Sequence, residues 1–92
     1  MSKAKSRTIE VDIYDQKYSI LPKTALNESE IRKIADEVDS RMREIAARTN
    51  TPDSLKVAIL TALHLAQEYK ELQQKFERKA EELSQALEAV LK

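Results

Sequence analysis

The sequence predicts an α+β protein, mainly α: an N-terminal β-hairpin, a short helix, and a long helix that continues into a coiled coil. Three observations predict it. Apolar and polar residues alternate from Ile9 to Ile20, apolar residues then recur at helical spacing, and the closing stretch from Ser54 to Lys92 contains neither glycine nor proline. The composition agrees, with 35% charged residues, 4% aromatic residues and no glycine in 92 residues, the bias of long helices and coiled coils. A chain of this length is one small domain, here with an extension. Alone it would bury about two-thirds of its unfolded surface, so self-association is a natural source of further burial.

Residues 1–7 hold Lys3, Lys5 and Arg7 with no acid and are expected to form a disordered basic tail. A head is expected over residues 8–66, with a hairpin at 8–21, a helix at 28–48 and the start of a second helix at 52–66. In the hairpin, Ile9, Val11 and Ile13 alternate with Glu10, Asp12 and Tyr14, and Tyr18 and Ile20 alternate with Lys17 and Ser19. This period of two is that of half-buried strands. The polar connection is expected at Asp15-Gln16, with Asp15 a tolerable substitute for glycine where φ is positive. Pro22 ends the second strand. Asn27 then reads as an N-cap with Glu30 completing a capping box. Ile31, Ile34, Ala35, Val38, Met42 and Ile45 follow as one apolar face. "RTNTPD" breaks this helix, after which Thr51 reads as the next cap, with Pro52 at the first helical position.

The second helix meets no breaker. About 40 residues at about 1.5 Å each would reach about 60 Å, more than a domain this small can cover, so an extension is expected over 67–92. Its first part is apolar almost all the way round. Val57, Ile59, Leu60, Leu63 and Leu65 cannot all face one partner within the chain, so they are expected to form the core of a dimeric head. On that reading Leu63→Glu unfolds the head. Further on, Ala62, Tyr69, Phe76, Leu83 and Val90 recur every seven residues, with Leu65, Leu72 and Ala86 three places after the first, second and fourth of them. This is an a/d seam. Tyr69, Leu72, Phe76, Leu83 and Val90 are its expected contacts. Lys79 interrupts the seam, and Ala80 and Leu87 broaden it, unlike a simple parallel zipper.

Catalytic chemistry is not legible. Without glycine there is no phosphate-binding loop or dinucleotide fingerprint, and without cysteine no thiolate metal site or Cys nucleophile. The single histidine, His64, cannot make a multi-His metal site and reads as an edge or interface residue. The acids of the long helix alternate with lysines as a solvated face does. We expect no enzyme activity, cofactor or metal. Formal charge is zero overall, and residues 8–26, 27–50 and 51–92 each sum to −1, so no nucleic-acid partner is expected. Neither a signal peptide nor a span of roughly 20 apolar residues is present, so no membrane partner is expected and a cytoplasmic protein is.

Three stretches then carry a resemblance. "VDIYDQKYSI", "VDSRMREIAART" and "LKVAILTALHLAQEY" resemble, in order, the hairpin, the end of helix one and the start of helix two of the ZapA cell-division proteins, which associate with the FtsZ ring. Asp15 stands where that family usually has a turn glycine, and His64 where an Asn is common. The resemblance implies a homodimer of heads that becomes a homotetramer through antiparallel packing of the coiled coils. It implies FtsZ as partner, a place at the division site, and cross-linking or bundling of filaments that promotes Z-ring assembly and stability. It also implies an FtsZ-facing surface of basic residues near the hairpin turn and late in helix one. Here those regions offer Lys17, Arg41, Arg43 and Arg48, while Gln16 and Asn50 are neutral. The alternative is a structural coiled-coil adaptor or chaperone-like oligomer that does not act on FtsZ. A prefoldin-type chaperone fits less well, because its hairpin lies between its two helices, whereas this one precedes both.

Overall fold

A computed structural model describes residues 8–92, and the basic tail of Lys3, Lys5 and Arg7 lies outside them. Its elements are β1 (Ile9–Ile13), β2 (Gln16–Ile20), α1 (Glu28–Thr49) and α2 (Ser54–Leu91). The strands pair antiparallel with Ile9 opposite Ile20 and Ile13 opposite Gln16. That register leaves a two-residue loop, Tyr14-Asp15, one position earlier than the expected Asp15-Gln16. Both loop residues are left-handed, with φ 52° and 66°. Two successive positive φ values give the turn whose twist suits adjoining strands, at a cost of roughly 1–2 kcal/mol for each residue that is not glycine.

One face of the hairpin is covered. Ile9 and Val11 are buried with Ile31 and Ala35 of α1, and Ile13 and Ile20 pack at the margin. Such a sheet is marginal in water without a helix against it. Arg32 reinforces the contact, its Nη1 donating to the Glu10 carbonyl at 2.8 Å while Nη2 and Nε donate to Glu28 Oε2. The apolar stripe of α1 is narrower than its periodicity suggests. Ile31, Ala35, Met42 and Ile45 are buried, Val38 is half-buried, and Ile34 stands exposed at the edge of the stripe. A two-stranded sheet is too small to cover it.

Caps set the helix ends. Asn27 accepts from the Glu30 N–H at 2.8 Å, and Glu30 accepts from the Asn27 N–H at 3.0 Å, the reciprocal capping box. Asn50 closes α1 in the left-handed conformation, its N–H donating to the Ala46 carbonyl. Asp53, not Thr51, caps α2. Its carboxylate accepts from the Leu55 and Lys56 N–H groups, and its carbonyl accepts from Val57. Thr51 instead accepts from the Asp53 N–H, ordering the residue that makes the cap.

The described residues divide after Thr61 into two compact units, the second of them 62–92. In the first, Val57 is fully buried and Thr61 nearly so, the Thr61 hydroxyl satisfied by the Val57 carbonyl at 2.8 Å. Ile59 and Leu55 are exposed and Leu60 is half-buried. The second unit is helical throughout except for the terminal Lys92. None of its side chains is buried, and only Leu65 is half-buried.

Candidate partner-binding surface

The four basic residues singled out in the head, Lys17, Arg41, Arg43 and Arg48, occupy three settings. Lys17 lies directly across the hairpin from Asp12 and donates to it at 3.2 Å. Both side chains are exposed, so the pair is a weak cross-strand tie. Arg41 and Arg48 are seven residues apart on α1, close to two full turns, and so share a face. Arg41 is the more covered of the two and lies 3.8 Å from Glu37, one helical turn back. Arg48 is well exposed and only loosely paired with Glu44 at 3.9 Å.

Arg43 lies about 200° round the helix from Arg41 and faces the hairpin turn. Its Nη2 donates to Asp15 Oδ1 at 2.8 Å, and its Nε reaches both Asp39 oxygens at 3.1–3.2 Å. Its guanidinium sits 5.5 Å from the centre of the Tyr14 ring. The Tyr14 N–H donates to Asp39 Oδ1 at 2.7 Å. Helix and turn are thus joined through a backbone donor, a carboxylate and a ring. The Arg43 guanidinium first, and the Tyr14 N–H second, hold the Asp39 carboxyl below the usual aspartate range. The bonds to Asp39 and then to Asp15 hold the proton on Arg43 more firmly still. The spacing of Asp39 and Arg43 is visible in the sequence as an i,i+4 pair. Their hold on Tyr14 and Asp15 is not, because it links residues more than 20 positions apart.

The sign of the Asp39 shift gives a pH dependence. A lowered folded-state value contributes stability that is complete above the unfolded value of about 3.9 and fades as pH falls toward the lower folded value. The Tyr14 amide resonance is therefore expected to move with a midpoint below about 3.9, and Asp39→Asn is expected to remove that titration. A midpoint at or above the ordinary value would mean that the carboxylate is not held by Arg43 and Tyr14.

Apolar surface is exposed in both units. In the first, Ile13, Tyr18, Met42, Leu55 and Ala58 line an open cavity of about 340 Å³. In the second, Tyr69, Leu72, Phe76, Leu83, Leu87 and Val90 are 56–80% exposed. His64 is exposed too. Among the described residues no group of His, Asp or Glu is placed to hold a metal ion, and no helix is long and apolar enough to cross a membrane.

A family model described as "Cell division protein ZapA" matches residues 9–92. The chain belongs to the ZapA family of cell division proteins. ZapA of a Geobacillus species (strain WCH70) is 35% identical over 83 residues, which are 90% of this chain and 93% of that one. ZapA of Bacillus mycoides is 37% identical over 81 residues, 88% of each chain. Among solved structures, a ZapA mutant dimer from Geobacillus stearothermophilus superposes with a TM-score of 0.70 at 33% identity, over 91% of this chain and 95% of that one. A conserved bacterial protein of unknown function from Pseudomonas aeruginosa shares the fold, with a TM-score of 0.70 at 21% identity over 94% of this chain and 93% of that one. The match to the family model spans hairpin and both helices, so the ZapA relationship covers nearly all of the chain.

Proposed function

We propose that this chain is a non-enzymatic division protein that binds FtsZ filaments in the cytoplasm at the division site and cross-links or bundles them. Within the ZapA family, the observation that carries the reading is the row of exposed apolar residues from Tyr69 to Val90. A helix carrying such a row is poorly stable in water without an apolar partner, and a second copy of the same row is the partner at hand. The heads pair through the exposed apolar residues near the start of α2, Ile59 and Leu63 foremost, with Leu60 and Leu65 beside them. Val57, already covered within its own protomer, supports that contact from beneath. Antiparallel pairing of the seams then gives a tetramer with FtsZ-binding heads at both ends. Such a body tethers two filaments, and its two attachments strengthen each other without new contacts. The relative from Geobacillus stearothermophilus, a dimer, supports the first of these steps.

The FtsZ-facing candidates are Lys17, Arg41, Arg43 and Arg48. Of the three arginines, Arg48 on the late α1 face is the best exposed for an acidic filament, with the more covered Arg41 on the same face. The test is co-sedimentation with GTP-polymerised FtsZ at low and moderate salt. Pelleting that needs GTP and weakens with salt is expected, because exposed charge pairs are screened. No pelleting at either salt by a folded oligomer would leave a coiled-coil adaptor that does not act on FtsZ.

A further inference from the structure

Among the described residues, the Tyr14–Asp15 turn is the only place with two successive left-handed residues, and neither is glycine. An Asn-Gly pair takes this geometry by its own preference. A Tyr-Asp pair does not, since a bulky side chain at positive φ is an outlier that its surroundings must hold in place. Here the surroundings are two side chains of α1. Asp39 takes the Tyr14 N–H at 2.7 Å. Arg43 spans Asp39 and Asp15 and lies over the Tyr14 ring. Backbone, carboxylate and ring of the turn are each tied to one pair a helical turn apart.

We propose that Asp39 and Arg43 form a latch that sets the hairpin turn where a glycine would otherwise be needed. We infer further, and this part rests on the FtsZ-binding reading above, that Arg43 is a positioning residue for the turn and not a contact with the filament. Its donors are directed at two carboxylates of its own chain. The surroundings agree. Around the turn the acids Asp12, Asp15 and Asp39 outnumber the bases Lys17 and Arg43, so the latched turn offers a filament no net positive charge, and what Arg43 contributes there is the turn's shape. Arg48, well exposed on another face of α1, is better placed to attract an acidic filament by charge.

The test uses the full chain and has two independent arms. The first is amide hydrogen exchange at Tyr14. Loss of a bond to a charged acceptor is expected to speed exchange there by about tenfold or more in Asp39→Asn and Arg43→Gln, with core amides unchanged. Unchanged exchange at Tyr14 would overturn the latch. This arm does not involve FtsZ, so it stands even if the proposed function fails. The second arm is FtsZ affinity across a salt series. Arg43→Lys keeps the charge but cannot make the forked contacts, and it is expected to lose nearly as much affinity as Arg43→Gln, about fivefold. The salt dependence of both should stay parallel to that of the wild type. Adding Asp15→Gly to Arg43→Gln is expected to restore affinity, because glycine takes φ near 66° without help. Retained affinity in Arg43→Lys, or a flatter salt dependence in Arg43→Gln that Asp15→Gly does not rescue, would make Arg43 a contact and overturn the positioning role.

Discussion

A Val57→Asp variant is expected to lose the head fold. Val57 is fully covered inside a single protomer, and an unpaired carboxylate there would cost several kcal/mol. That is comparable with the whole net stability of a small domain, about 5–15 kcal/mol. Far-UV circular dichroism and thermal melting would read the change as lost cooperativity, together with loss of amide protection in β1 and in α1 near Ala35. A melt within a few degrees of the wild type would mean that Val57 is not the plug the packing makes it. Leu63 is a useful contrast. The apolar run on either side of it suggested that Leu63→Glu would unfold the head as well, yet its side chain is 60% exposed. A charge there is removed from no packed interior. We expect Leu63→Glu to keep its helicity and to weaken association between copies, which sedimentation equilibrium would detect as a fall in mass.

The difference between these two residues shows what the sequence could and could not convey. The hairpin and both helices were legible because alternation, helical spacing and capping residues are local signals. Asn27 and Glu30 form the box their spacing announced. Where tertiary contacts decide, local signals are not enough. Nothing about Tyr14 favours a left-handed conformation, so local signals point to a turn one residue later; Asp39 and Arg43, far along the chain, hold it where it is. Thr51 and Asp53 are both good capping residues, and Pro52 between them suits a first helical position, so local signals favour a start two residues before Ser54. In the apolar run from Val57 to Leu65, every residue signals burial, but the sequence does not say which are covered within the protomer. The surface residues show the same limit. Arg43 is conspicuous as a base near the turn, and only its bonds to Asp39 and Asp15 separate it from Arg48, which keeps a looser attachment.

Phe76→Glu and Leu83→Glu are expected to split the proposed tetramer into dimers while leaving each protomer folded. Phe76 is 74% exposed and Leu83 is 65% exposed, so neither change disturbs packing within the chain. In an antiparallel seam the same substitution enters from every copy, so each variant removes several apolar contacts and adds several charges. A buried Phe or Leu side chain contributes roughly 1.5–3 kcal/mol, and the loss is repeated across the assembly, so dissociation at working concentration is the expected result. Sedimentation equilibrium should show the mass halved and circular dichroism should show most helicity retained. The same variants separate two parts of the proposed function. A dimer still has a head with which to bind a filament, so pelleting with polymerised FtsZ should persist in weakened form. It has lost the second set of heads, so filament bundles seen by electron microscopy or light scattering should disappear. Unchanged mass would show that the row from Tyr69 to Val90 is not the seam. Halved mass with bundling intact would show that cross-linking runs through the head dimer alone, and the two-ended tether would have to be abandoned.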